Sequence, residues 1–253
     1  MWPLIKITYR EMISKRIFTI TLLMSLAFLV LFGVATWFVG DQMADSRVPA
    51  SDMQMMKAVI STQLLGMGLY FGSFITALLA IFSSVGAISS GVESHQIDTW
   101  LARAMTRHTF LLGRFFGLAS LLVIYTLLMF LGLVGINQWV GGGAMAVQLT
   151  VEQVVSAMGY FVLLPIILVC ASLLLSSFTT TVTGGIILII LYGIGFIGGF
   201  VEQLGSLLRD DSLVNIGIVS SLVFPTDSLF RLATLSLFEA VDNPISFFTH
   251  GIF

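Results

Sequence analysis

The sequence predicts an all-α, polytopic membrane helix bundle, with five spans and an N-terminal interfacial amphipathic helix. Three observations carry this. Of 253 residues, 57% are apolar and only 9% are charged, whereas a soluble domain carries about 25% charged residues. Such a chain cannot cover a water-facing surface. The few charges also cluster, leaving uncharged stretches at 17–40, 58–90, 115–140, 154–178 and 182–200. A helix rises about 1.5 Å per residue, so about 20 apolar residues cross the hydrocarbon layer. These stretches are long and continuous, which excludes barrel strands, since those alternate and run about ten residues.

Residues 1–16 come first. Lys6, Arg10 and Ser14 recur at four-residue spacing, and Glu11 and Lys15 widen that polar face. Trp2, Ile5, Tyr9, Met12 and Ile13 fall opposite, while Leu4 and Ile7 interrupt the polar side. A helix of this pattern lies in the membrane interface with its basic residues toward headgroups or a partner. The same charges, Lys6, Arg10, Lys15 and Arg16, also serve a plain topology anchor. The apolar run that follows is about twice a secretory h-region and no small-x-small site ends it, so it reads as a retained first span.

The second stretch is too long for one simple crossing. The expectation is an interfacial segment at 58–66 and a span from there to Ser90. Gly68 with Gly72, and Gly195 with Gly199, have the small-xxx-small spacing that lets helix backbones approach. Gly193, Gly195 and Gly198 form a GxGxxG inside the fifth span, with no preceding strand, so they read as packing residues and not as a dinucleotide loop. Ser176, Ser177, Thr179, Thr180 and Thr181 sit between the fourth and fifth spans and read as a short turn.

Charge sets the orientation. Residues 1–16 and the break 91–114 hold seven of the eleven Lys/Arg and three of the thirteen acids, +4 in all; the rest of the chain carries −6. The basic side is expected in the cytoplasm of a bacterial plasma membrane, with the N-terminus inside. Residues 201–253 then follow the fifth span on the outer side. Their longest uncharged run, 212–226, is short for a crossing.

Several functions are excluded by what the spans lack. No Asp, Glu, Lys, Arg or His lies within the five stretches, whereas ion-coupled carriers, pumps and voltage sensors place such groups in the membrane. Cys170 is alone, and the three histidines lie in the breaks, which leaves no metal or redox ligand set. No GxxxxGK[ST] precedes any lysine, so the chain is not expected to bind ATP or to be an enzyme. A net charge of −2 argues against nucleic acid as a partner. Energy or chemistry is expected from another subunit.

The break at 91–114, GVESHQIDTWLARAMTRHTFLLGR, is the longest on the basic side. Glu93 and Asp98 precede Arg103, Arg107 and Arg114, and Trp100, Leu101 and Met105 offer apolar anchors. That mixture suits docking into a groove on a soluble partner, or a solvated loop that only sets topology. Segment 93–117 resembles the cytoplasmic loop of the ABC-2 type permeases, the membrane subunits of many bacterial ABC exporters. That family often reads E-x-G-T-x-x-x-L-L-A-x-P-x-S-R-x-x-x-L-L-G-K-x-x-G. The match rests on Glu93, Leu101-Ala102, Thr106-Arg107, Leu111-Leu112-Gly113-Arg114 and Gly117. His95, Gln96, Trp100 and Ala104 depart from it. The stretch from Phe224 to Arg231 also resembles the family's segment between spans five and six.

The resemblance implies a single permease domain over 1–253, with a sixth span after Phe253. It implies a second permease chain, identical or not, and two cytoplasmic ATPase subunits that hold the ATP and magnesium. Residues 93–107, including Glu93, His95, Asp98, Trp100, Leu101, Arg103 and Arg107, would be the coupling segment touching the ATPase. Charge-free walls suit an apolar or amphipathic substrate. A non-transporting membrane scaffold, receptor or assembly factor is the alternative.

Overall fold

The computed structural model describes residues 2–44, 50–89, 93, 107–141, 147, 149–208 and 210–238. Among them there are eight long helices and no strand: α1 (Trp2–Ser14), α2 (Arg16–Ala44), α3 (Ala50–Ser84), α4 (Arg107–Val140), α5 (Val151–Phe178), α6 (Thr181–Leu208), α7 (Asp211–Val223) and α8 (Thr226–Phe238). Five of these, α2 to α6, are long and apolar enough to cross a membrane. The chain is therefore a multi-pass α-helical membrane protein.

Burial orders the bundle. In its most apolar stretch α3 is 61% buried and α2 only 17%, so α3 is the central post and α2 its outer wall. Ile20, Leu23, Val30, Leu31 and Trp37 of α2 face outward, as an apolar surface against lipid requires. One core cluster fills the end where α1 lies, here termed the basic end, with Met12, Ile81, Leu122, Leu168 and Leu188. A second fills the far end with Phe32, Leu65, Phe130, Phe161 and Leu237.

Local chemistry sets the helix ends. Gly86, at φ 79°, makes the turn after α3, a conformation that L side chains resist. The Thr150 N–H donates to Gln153 Oε1 at 2.8 Å, which relieves an unpaired donor at the start of α5. Pro165 lies inside α5 without ending it. Thr179 and Thr180 form the turn into α6, and the Thr179 N–H closes α5 on Leu175 O at 2.9 Å.

Two expectations change. α3 is one continuous 35-residue helix, so residues 58–66 are not a separate interfacial segment. An unbroken helix keeps every backbone bond internal where water is scarce, and Leu65 is fully buried in the far core. The fifth span also does not end near residue 200. α6 continues to Leu208, and α7 turns back along its last half in antiparallel contact.

The α7–α8 pair bends by 102° and re-enters the bundle. A side-chain carbon at Gly195 would stand 2.8 Å from the Phe224 carbonyl oxygen, so the tip of the hairpin sits one turn inside the apolar part of α6. From there α8 returns along α5 to the far core, where Leu237 is fully buried. Each arm has 13 residues, about 20 Å, which is too short for a crossing.

Glycines permit this close approach. A Cβ at Gly217 of α7 would lie 2.8 Å from Glu202 Cα and 2.9 Å from Glu202 N, both backbone atoms of α6. At Gly193 of the same helix α6 a Cβ would meet nothing within 4 Å. Gly217→Ala is therefore expected to cost about 1–3 kcal/mol by forcing the two helices apart. Gly193→Ala is expected to be neutral or to gain up to about 1 kcal/mol from helix propensity. Thermal midpoints of the two purified variants check this; equal midpoints would contradict the hairpin packing.

Candidate functional site

Two polar constellations stand out, one at each end. At the basic end, α1 lies against the start of α4. The Tyr9 hydroxyl donates to Ser120 Oγ at 2.8 Å, Arg114 pairs with Glu11, and Thr8 packs on Gly117. The buried face of α1 carries Thr8 and Met12, with Ile5 and Tyr9 partly covered, while Lys6, Arg10 and Ser14 are exposed. Ile13, expected on the apolar side, is 56% exposed, because α4 takes up the Thr8–Met12 edge instead. Arg16 opens α2 and is exposed. Lys15 sits at the α1–α2 bend, 3.9 Å from Glu11. Burial lowers its ammonium pKa, against the pull of Glu11 and with a further push from Arg114.

Glu93 reaches the first residue of α6. Its carboxylate accepts from the Thr181 backbone N–H at 2.9 Å and from Thr181 Oγ1 at 3.2 Å. A carboxylate there satisfies an orphan donor and meets the positive end of the helix dipole. Beside it, Ser176 Oγ of α5 accepts from the Ile88 and Ser89 N–H groups, and Ser89 Oγ bonds Thr181 Oγ1 at 2.9 Å. The end of α3, the turn between α5 and α6, and Glu93 are thus one hydrogen-bonded unit. Arg107 opens α4. His95, Asp98, Trp100, Leu101 and Arg103 lie outside the described residues.

The glycine pairs contact different partners. Gly68 lies against the Phe32 ring of α2, and Gly72 against Leu133 of α4. Gly195 meets the hairpin tip, and Gly199 meets the Asp227 carboxylate.

That carboxylate belongs to the second constellation. Arg231 of α8 donates through Nη1 and Nη2 to the two oxygens of Glu202 at 2.5 and 2.7 Å, and through Nε to Asp227 Oδ2 at 2.8 Å. The side chains of Arg231, Glu202 and Asp227 are 17%, 8% and 4% exposed. Beside them is a hollow lined by Tyr70, Ser73, Tyr192, Phe196, Thr226 and Phe230. The Tyr70 ring stacks on Phe196 at 4.9 Å and meets Phe230 edge-on at 5.2 Å.

Sequence reasoning missed this cluster because Glu202, Asp227 and Arg231 all fall beyond the fifth uncharged stretch. One signal was present: Asp227 and Arg231 stand four apart, the spacing of an ion pair on a helix. Among the described residues no group of His, Cys, Asp and Glu could hold a metal ion.

Fold and composition define the class, a multi-pass α-helical membrane protein. No protein-family model matches the chain, and no curated protein matches it.

Proposed function

We propose that this chain is the membrane subunit of an ABC exporter of the ABC-2 type. It sits in a bacterial plasma membrane with α1 and residues 93–107 in the cytoplasm, and pairs with a second permease chain. Two ATPase subunits carry the ATP and magnesium. The observation that supports this most is the Glu93–Thr181 contact. The segment that resembles a coupling loop is tied at its start to the head of α6 and runs at its end into α4. α4 is in turn braced by α1 through Glu11 and Arg114. A push on 93–107 is thereby delivered to α3, α4 and α6 together.

In this reading ATP binding closes the ATPase dimer, the coupling segment moves, and the spans switch the access of a substrate path from the inner side to the outside. The substrate is apolar or amphipathic. The chain itself is not a catalyst. The test is gentle isolation of the tagged chain from its native membrane, with the co-isolated proteins identified by mass spectrometry. A P-loop ATPase in about one-to-one ratio is the expected result; a chain that is stable and alone, or held only by proteins without a nucleotide site, would overturn the reading.

A further inference from the structure

The cluster at the far end is one positive charge short. Glu202 and Asp227 are two carboxylates, Arg231 is one guanidinium, and among the described residues no second cation joins them. All three side chains are largely withdrawn from solvent, where an uncompensated charge is costly. Asp227 lies in the first turn of α8, so the helix dipole offsets part of the deficit, equivalent to about half a charge. The remainder is open.

The surroundings say what fills it. Thr226 is 2% exposed, and its hydroxyl oxygen is buried without a hydrogen-bond partner. It lines the same hollow as Asp227, so an acceptor waits beside the carboxylate. The other walls include the rings of Tyr70, Tyr192, Phe196 and Phe230. Aromatic walls next to a carboxylate favour an organic cation over a hydrated metal ion, because ring quadrupoles attract a desolvated ammonium. Empty space there totals about 220 Å³ with its open mouth, and it admits a head no larger than a water molecule or an –NH3⁺. A quaternary ammonium is too bulky.

We propose that this hollow binds a primary ammonium head group, held by the Asp227 carboxylate and the Thr226 hydroxyl among the aromatic rings, with its apolar tail leaving through the mouth. The head group comes from an amine-bearing amphiphile or from an aminolipid of the membrane. The first case deepens the exporter reading by naming its substrate class. The binding itself needs no ATPase, so either idea can fail while the other stands.

The test uses the full chain in phosphatidylcholine nanodiscs, with binding followed by intrinsic fluorescence. Octylammonium is expected to bind saturably. Octyltrimethylammonium, with the same charge and a larger head, is expected to bind at least about tenfold more weakly, and octanol not to saturate. Asp227→Asn leaves a neutral Glu202–Arg231 pair and is expected to keep the wild-type melting temperature while losing about tenfold or more in octylammonium affinity. Thr226→Val is expected to weaken binding severalfold. Adding phosphatidylethanolamine to the nanodiscs separates the sources: competition with octylammonium assigns the site to the lipid head group, and no competition assigns it to a free amine. Equal responses to octylammonium and octanol would overturn the proposal. So would unchanged affinity in a folded Asp227→Asn, or an effect of sodium or pH alone with no effect of the amine.

Discussion

Arg231→Met is expected to unfold the far end of the bundle, at a cost of about 3–5 kcal/mol, and to deplete the chain from the membrane. The magnitude follows from what is left behind. Arg231 is the shared cation of Glu202 and Asp227, and it makes three hydrogen bonds to them. Removing one partner of a buried ion pair strands the other charge, which costs far more than the pair contributes. Here two carboxylates are stranded, on α6 and α8, and the Asp227 oxygens lie against Gly199 with no room to swing away. Replacing the whole set is expected to be far milder. Glu202→Gln with Asp227→Asn and Arg231→Met leaves no charge to strand, and buried ion pairs exchanged for neutral residues of similar size are often tolerated. Membrane abundance and thermal midpoints of the single and triple variants decide the matter; a single variant as stable as the triple would show that the cluster is solvated.

The second large effect is expected in the coupling segment. Trp100→Ala removes an aromatic anchor, the residue type that dominates binding energy at interfaces, at a cost of about 2 kcal/mol or more. Arg107→Glu reverses a charge at the opening of α4, and truncating a buried charged contact costs about 2–5 kcal/mol, whereas a rim charge mainly alters association rate and salt dependence. Both are expected to lose most of the ATPase at unchanged membrane insertion. Glu93→Ala acts differently. It removes both Thr181 contacts, so the cap of α6 is lost, costing about 0.5–2 kcal/mol. ATPase binding is then expected to persist while hydrolysis no longer follows substrate. Glu93→Gln keeps an acceptor oxygen and is expected to restore part of the coupling. Measuring ATPase retention and substrate-stimulated hydrolysis on the same preparations separates docking from coupling; retention and stimulation unchanged in all four variants would reduce the segment to a topology loop.

The bundle was legible in the sequence because its governing constraint is length. Uncharged runs near residues 17–40, 154–178 and 182–200 fall within α2, α5 and the apolar part of α6. The hairpin was not legible, because its constraint is pairing. Asp227 and Arg231 read as charges that hold residues 201–253 in water, yet with Glu202 they largely neutralise one another, and the apolar run 212–226 is then free to lie against α6. No count along one stretch reveals that compensation, since Glu202 is 29 residues from Arg231. Continuity of α3 was hidden for a related reason. The polar residues Ser61 and Thr62 suggested an interface, but both are buried, and Ser61 Oγ donates to the Ala58 carbonyl of its own helix. The link from Glu93 to Thr181 spans 88 positions and was equally invisible, although both ends had been singled out for other reasons.

The central claim is that residues 93–107 are held by an ATPase. A photo-crosslinking amino acid at position 100, with a control at the exposed far-end position 151, tests it in the native membrane. The expected result is one adduct from position 100, containing a P-loop ATPase, and none of that composition from position 151. Efficient crosslinking at position 100 to lipid or to other proteins, with no nucleotide-binding subunit among the products, would contradict it.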